Sequence, residues 1–450
     1  MPVKIKSLLV SVYQLFVFVV CYGIFAVLMA FAVPFVVTRS RTALIVAMSF
    51  AVSYGMLSRI YGAMDVGTRK SRSIVFSMMM ILLFSDLIAH LFLCIMDITV
   101  VHGGRFVYEA PALLLAGYAV QIVFVICASF IGNDIFFSLF KPQKCLVIHA
   151  PEANVAEFLA KIATRGKQYE VTSVIAFERE DIKRTVGEIE KADAVFLYGL
   201  PAAERSDMIS WAYKAKKDIF YNLEMDDIVS TGGKMISFED TPVIFSPVKN
   251  NDLVYRFVKK IADEVLSLIG VILLIPLFLL VAAAIKIEDG GSVFYRQPRI
   301  TIGGKTFQLI KFRSMREEVG DIHVSATEND DRITRVGRFI RKFRIDEFPQ
   351  LFNVLIGEMS LVGPRPEMVE NVKAYSRELP EFTYRQRMKA GLTGLAQVYG
   401  RYNTSPKDKL MYDLMYIEQA NIWLDFKLLL RTVLVLFTPE ESTRGFQKNK

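Results

Sequence analysis

Hydrophobic and polar positions divide this chain into three unlike stretches. The first 140 residues hold four apolar blocks, at 8–33, 43–56, 75–96 and 111–140. The first, third and fourth are long enough for a bilayer core that needs about 20 residues. The second is shorter and is expected to begin near Val36 and Val37 or run on past Tyr61. The first block is too long for a cleaved signal peptide, and further blocks follow it. From 145 to about 248 the period changes to that of alternating strands and helices: strands at 145–150, 171–177, 194–198 and 219–221, helices at 155–164 and 205–216. That order predicts a small parallel sheet with helices on its faces. A fifth apolar segment covers 265–285, and a mixed, more basic region closes the chain.

Charge orients the first stretch. Lys4 and Lys6 precede the first block, Arg59, Arg69, Lys70 and Arg72 follow the second, and Lys141 and Lys144 follow the fourth. The other two loops carry Arg39, Arg41 and Arg105. The excess places both ends of the four-span bundle in the cytoplasm. Asp86 and Asp134 lie inside the third and fourth blocks. They read as a proton or substrate path, or as bundle-facing or interfacial polar contacts, the second being favoured.

The middle stretch lacks the chemistry its fold suggests. A dinucleotide site needs G-x-G-x-x-G directly after the first strand, and here the turn is His149-Ala150-Pro151-Glu152-Ala153-Asn154. The two Tyr-x-x-x-Lys matches, Tyr213/Lys217 and Tyr255/Lys259, have no such turn beside them. The module reads as a degenerate Rossmann-like unit, regulatory or structural. In the fifth apolar segment Pro276 removes a helical hydrogen bond, and lysines flank both ends. This pattern fits a bent helix, about 261–286, that enters one leaflet and returns; a kinked fifth crossing is the alternative.

Composition narrows the class. The chain has 450 residues, 53% hydrophobic and 22% charged, with a net charge of +8. Disorder is excluded, and the positive balance suits an anionic partner. Four cysteines without a C-x-x-C pair and four scattered histidines exclude a disulfide scaffold and a transition-metal cluster.

The last 165 residues carry the candidate chemistry. A hairpin is expected over 293–300 and 306–310, turning at Gly303-Gly304. Gly304-Lys305-Thr306 is no P-loop, because the first glycine of that motif would fall on Arg299. Arg332, Arg335, Arg338 and Arg341 recur every third residue, with Val336, Phe339, Ile340 and Phe343 opposite them on a helix. Such a helix suits an anionic lipid surface or a multiply charged phosphate ligand. Asp346-Glu347-Phe348-Pro349-Gln350 reads as an ordinary helix start with Asp346 at the N-cap. The same geometry would suit an ionised nucleophile beside a Mg²⁺-binding carboxylate. Arg365, between Pro364 and Pro366, presents a guanidinium from a stiff backbone. The 423–437 stretch reads equally as a core helix or as one resting on the membrane.

Lys311-Phe312-Arg313-Ser314-Met315, the Asp346-Glu347-x-Pro-Gln run, Ser360-Leu361-Val362-Gly363-Pro364-Arg365-Pro366 and Gly391-Leu392-Thr393-Gly394 closely resemble the bacterial sugar transferases. These are monotopic polyprenyl-phosphate phosphoglycosyltransferases, here of the large polysaccharide-initiating type. The resemblance covers about 252–439. It implies a UDP-sugar and polyprenyl (undecaprenyl) phosphate as substrates, Asp346 as nucleophile and an aspartyl phosphosugar intermediate. Glu347 would bind Mg²⁺, and Arg338, Arg365, Lys311, Arg313 and Arg341 would contact phosphate. Pro364 and Pro366 would stiffen the arginine loop, and Pro276 would break a re-entrant helix. Ile275, before that proline, stands where close relatives usually carry serine. The organisation expected is a four-helix transmembrane bundle (1–143), a Rossmann-like α/β module (144–248) and an α-rich catalytic domain (249–450) with amphipathic surface helices. The expected setting is the cytoplasmic face of a bacterial inner membrane, as first membrane step of exopolysaccharide, capsule or O-antigen synthesis, with a phospholipid bilayer, no nucleic acid, and a homodimer as one option. An NAD(P)-dependent nucleotide-sugar dehydratase or epimerase and a non-enzymatic membrane scaffold are the alternatives.

Overall fold

The structure is a computed structural model, which describes residues 3–62, 64–97, 110–238, 241–246, 253–316, 332–400 and 404–437. It divides into two compact units, Met1–Asn222 and Leu223–Lys450.

The first unit opens with four apolar helices, α1 (Val3–Ala30), α2 (Arg41–Tyr61), α3 (Ser71–Asp97) and α4 (Pro111–Leu139). Each is long and apolar enough to cross a membrane. α2 outruns its apolar block at both ends, but it neither begins near Val36, which lies in a separate 3-10 turn, nor runs past Tyr61. The Ser40 hydroxyl caps it by accepting from the Ala43 N–H at 3.0 Å, and Gly62 at φ 77° ends it. α2 packs on α3, α3 on α4 and α4 on α1. The Gln121 amide of α4 donates to Asp86 at 3.2 Å and to the Cys21 carbonyl at 3.0 Å. Asp86 is therefore a polar contact between helices, whereas Asp134 is exposed.

Four parallel strands follow in the order β2-β1-β3-β4: β1 (Gln143–His149), β2 (Tyr169–Ala176), β3 (Ala194–Tyr198) and β4 (Asp218–Tyr221). Alternation along β1 assigns its side chains to two layers. Cys145 and Val147 face α5 (Val155–Ala163), while Leu146 and Ile148 face α6 (Ile182–Lys191) and α7 (Ala202–Lys214). The sequence pattern does not show α6, because a helix of only ten residues buries just Thr185 and Ile189.

The second unit begins with α8 (Met225–Gly232), which packs on α14 (Pro406–Gln419), and with a hairpin of β5 (Lys234–Phe238) and β6 (Thr241–Phe245). α9 (Leu253–Asp289) is a single helix that carries Pro276 inside it. The hairpin expected next is present as β7 (Phe294–Ile300) and β8 (Thr306–Phe312). Its turn uses Gly303 at φ 66° and Gly304 at φ 75°, values that only glycine adopts without strain. Then come α10 (Arg335–Lys342), α11 (Gln350–Ile356), β9 (Ser360–Val362), α12 (Val369–Glu378), β10 (Gly391–Thr393), α13 (Leu395–Tyr399), α14 and α15 (Ile422–Phe437). Their core gathers Phe307, Leu309, Val354, Met359, Phe382, Leu410, Leu414 and Tyr416.

α9 contacts this body on nearly every turn. Lys259 pairs with Asp425 at 2.8 Å, and Asp263 accepts from the Ser360 hydroxyl at 2.7 Å and the Leu361 N–H at 3.1 Å. Val271 and Leu274 pack on the core, and Phe278, Val281 and Ile285 pack with Phe312 and Ile340. Its opposite side exposes Leu268, Ile272, Leu273, Leu279 and Leu280. α15 is likewise two-sided: Asp425 and Leu428 are buried, while Trp423 and Phe426 are exposed with ring centroids 5.7 Å apart.

β9 and β10 explain two of the glycine motifs. They pair in parallel, Gly391 against Ser360 and Thr393 against Val362. A Cβ on Gly391 would stand 2.0 Å from the Gly363 nitrogen, and one on Gly394 would stand 2.1 Å from the Gly363 carbonyl oxygen. Both obstacles are backbone, so no side chain can rotate away. Gly391→Ala should lower stability by about 1–3 kcal/mol. A thermal melt of the purified chain within a degree of wild type would contradict this packing account.

Candidate active site

Two adjacent carboxylates lie where α10 hands over to α11. Arg344, at φ 55°, turns the chain, and Ile345–Glu347 form a short 3-10 turn. A non-glycine residue rarely holds that conformation. Asp346 thus lies within the turn and is not the cap of a helix; Pro349 occupies the cap position of α11. The turn is fixed by Glu347 N–H donating to the Arg344 carbonyl at 3.2 Å and Phe348 N–H to that of Ile345 at 3.1 Å. Both acids are partly buried.

The two acids meet different surroundings. Glu347 Oε1 accepts from Lys311 Nζ at 3.2 Å and from Arg365 Nη2 at 3.3 Å. Burial alone would push the Glu347 carboxyl up, but the charges of Lys311, Arg365 and Arg344 outweigh it and hold that carboxyl far below the usual range. Asp346 is pushed up to about 6 by burial and then by the charge of Glu347, against the pull of Lys311 and Arg341. Arg341 Nη1 is buried with no hydrogen-bond partner among the described residues.

Each cation is positioned by its element. Lys311 projects from β8, which Asn353 of α11 pins: its side chain accepts from the Ile310 N–H at 2.9 Å and donates to the Gln308 carbonyl at 2.7 Å. Arg365 sits between its two prolines, and the loop carbonyls are held by two further arginines. Arg385 donates to the Arg365 carbonyl at 2.8 Å, and Arg299 to the Pro366 carbonyl at 3.1 Å. A small cleft open to solvent lies beside Arg365, lined by Thr301, Pro364, Glu367, Arg385 and Gln386 among others.

The basic stripe is only partly a helical stripe. Arg332 precedes α10, whose N-cap is Thr334. The first free N–H groups of α10, on Arg335 and Val336, are taken by the Glu288 carboxylate at 2.7 and 3.0 Å, so no phosphate can bind there. Gly337 lies against the Ser314 carbonyl, which a Cβ would meet at 2.0 Å. Arg338 is exposed on α10, with no ion pair to another described residue. Phe339 and Phe343 are also exposed, their centroids 5.0 Å apart, although the helical pattern set them with Val336 and Ile340, which turn inward. Arg313, expected near phosphate, is instead buried in an ion pair with Asp289. The packing of α9 supplies an acid that local spacing could not announce.

Among the described residues no group of three or more His, Cys, Asp or Glu could hold a metal by protein ligands alone. Mg²⁺ does not need one, because it keeps waters and takes one or two carboxylates plus substrate phosphates. Asp346 and Glu347 match that donor set, and Glu347 Oε2 accepts no hydrogen bond from a described residue.

Spacing alone also misses Arg299, Arg385 and Asp263, which act through partners distant in sequence. Nothing in the local sequence marks Arg385 for burial, since charged side chains are ordinarily exposed.

The acid pair, the cations around it and the stiff arginine loop all lie within residues 254–439, across which the chain matches the bacterial sugar transferase family, to which it belongs. It is 44% identical over 191 residues to a UDP-glucose:undecaprenyl-phosphate glucose-1-phosphate transferase of Caulobacter vibrioides, covering 41% of this chain and 71% of that protein. It is 40% identical over 198 residues to a protein of the same name from Klebsiella pneumoniae, covering 43% and 42% of the two chains. It is also 40% identical over 190 residues to a UDP-N-acetylgalactosamine-undecaprenyl-phosphate N-acetylgalactosaminephosphotransferase of Aeromonas hydrophila, covering 41% and 45%. The match therefore spans less than half the length of the last two relatives.

Arg385 and Asp413 form a buried pair at 2.6 Å beneath this site, and burial pushes the Asp413 carboxyl up to about 6 even with the arginine beside it. Arg385→Ala should cost about 3–5 kcal/mol by stranding that carboxylate. A carboxyl with a raised folded pKa costs stability as pH climbs through that value, so the loss should be larger at pH 8 than at pH 5.5. Thermal unfolding of Arg385→Ala and of Arg385→Met/Asp413→Leu at both pH values checks this: the double variant should recover stability and lose the pH dependence.

Proposed function

We propose that this chain transfers a sugar phosphate from a UDP-sugar to undecaprenyl phosphate at a membrane, releasing UMP. The observation that carries this reading is the unequal carboxylate pair: Glu347 is held as an anion by Lys311 and Arg365, while Asp346 stays basic enough to attack. One Asp346 oxygen bonds to the β-phosphorus of the donor, the bond from that phosphorus to the bridging oxygen breaks, and UMP leaves with the electron pair. An oxygen of undecaprenyl phosphate then attacks the acyl phosphate, and the Asp346 carboxylate is released as the polyprenyl diphosphate-sugar forms. Arg365 and Arg341 would hold the donor's diphosphate, and Arg338 lies further along the same helix. Mg²⁺, held by Glu347 and the diphosphate, would offset charge on the phosphoryl oxygens. The names of the relatives differ in the sugar, glucose or N-acetylgalactosamine, so a panel of UDP-sugars scored by UMP release selects the donor.

The membrane geometry that fits is four spans from α1 to α4 with both ends in the cytoplasm, and a re-entrant α9; the break expected at Pro276 is not seen, since the helix runs on through that residue. A helix of 37 residues has the length to cross. Yet α9 touches the soluble body from Lys259 to Asp289, with no run of about 20 residues left to traverse the hydrocarbon. The exposed Phe339, Phe343, Trp423 and Phe426 suit an interfacial seat for the site. A dinucleotide-dependent enzyme is not favoured, since the turn after β1 has no glycine for a pyrophosphate.

With donor alone, wild type should gain the mass of a phosphosugar on the peptide bearing Asp346, and Asp346→Asn should release no UMP; UMP at the wild-type rate from that variant would remove the nucleophile. UMP release should stop on chelation and return with Mg²⁺. It should also rise with pH through about 6 as Asp346 ionises, and Lys311→Met, which removes a charge that lowers that value, should move the rise to higher pH. A cysteine at Lys305, beside the β7–β8 turn, should be labelled from the cytoplasmic side only; labelling from outside would make α9 a crossing.

A further inference from the structure

In the first unit, a cavity of about 490 Å³, part of it open to solvent, lies where the ends of α1 and α4 and the α2–α3 connection meet the edge of the parallel sheet. Among the described residues four cations line it and no carboxylate does: Lys6 from α1, Lys141 just after α4, and Arg165 and Lys167 from the turn between α5 and β2. Its apolar wall is made by Phe136, Phe137 and Phe140. The Lys6 ammonium stands 5.1 Å from the Phe136 centroid and 5.8 Å from that of Phe140, and the Lys167 ammonium 5.5 Å from that of Phe137. None of the four cations forms an ion pair with a described carboxylate.

Cytoplasmic ends of spans carry lysine and arginine in any case. That rule explains their side of the membrane but not their convergence on one concavity, nor the contribution of two by the soluble module. The turn that carries Arg165 and Lys167 is itself fixed to the helices: Gln168 donates to the Thr68 carbonyl at 2.9 Å, and its own carbonyl accepts from the Gln143 N–H at 2.9 Å. The Thr68 connection is held in turn by the Gly67 N–H donating to Asn133 of α4 at 2.7 Å. Four like charges gathered there repel one another, and an anion relieves that repulsion. The three rings give the cavity an apolar wall beside its charges. A ligand that answers both features carries phosphate on an apolar chain.

We propose that this cavity is a second lipid site, which takes the phosphate headgroup of an anionic membrane lipid, apart from the site at Asp346. The proposal rests on the four-span reading above, since it puts the cavity at the inner-leaflet headgroup level. Occupancy would tie the Rossmann-like module to the membrane helices.

The test uses the full chain purified in mild detergent and read by native mass spectrometry with phosphatidylglycerol, undecaprenyl phosphate or inorganic phosphate added separately. Wild type should retain one equivalent of phosphatidylglycerol, or one of undecaprenyl phosphate beyond that held at the Asp346 site, and it is this equivalent that the variants are scored on. Lys141→Gln/Lys167→Gln should retain it at least tenfold less, and Asp346→Asn should retain it unchanged. Both lysines are exposed, so the double variant keeps its core; an unaltered thermal melt confirms that. Equal retention by wild type and the lysine variant overturns the site, as does loss only in Asp346→Asn or retention of inorganic phosphate without either lipid. Labelling of a Lys144→Cys variant from outside the cell would instead overturn the four-span reading, independently of retention.

Discussion

Everything in the catalytic unit answers to one electrostatic problem: two carboxylates adjacent in sequence, in a partly dry turn, that must not behave alike. Left to themselves, like charges at that separation would share a proton and neither would be a dependable anion. Lys311 and Arg365 break the symmetry by meeting the same oxygen of Glu347. With Glu347 fixed as the anion, its charge becomes part of the environment that keeps Asp346 basic. The unequal pair is built by cations from two separate elements, a strand of a hairpin and a proline-bounded loop, so its asymmetry exists only in the folded chain.

That dependence explains the weight of polar support around the site. The loop bearing Arg365 has its carbonyls held by Arg299 and Arg385, its preceding strand held by Asp263 of α9, and its backbone packed on β10 without room for a side chain. Lys311 depends on Asn353, which joins β8 to α11. Rigid support of this kind fixes the Arg365 guanidinium against Glu347.

The sequence was most readable where a pattern has a strong physical period or a rigid residue. The apolar blocks, the β1–β4 alternation, the glycine hairpin turn and the proline-bounded arginine all stand where their spacing placed them. The Asp346-Glu347 run was legible as a pair but not as a turn, because the left-handed Arg344 that sets it has no local signature. The helical stripe of arginines was legible in spacing, yet Arg332 falls outside α10 and Arg313 is consumed by Asp289, both outcomes of tertiary packing. The amphipathic pattern of α10 could not say that Val336 and Ile340 would turn inward while Phe339 and Phe343 stayed out. Which of several arginines reaches a given carboxylate is decided by how helices meet.

Glu288 closes the N-terminus of α10 and Asp289 holds Arg313, both from the last turn of α9. The apolar helix and the reactive turn are therefore one mechanical linkage. Each residue added to or removed from α9 would rotate its end by about 100° and move it by about 1.5 Å, dragging the arginines and the acid turn with it. The number of residues between Pro276 and Glu288 therefore sets how the end of the apolar helix is aimed at the acid turn.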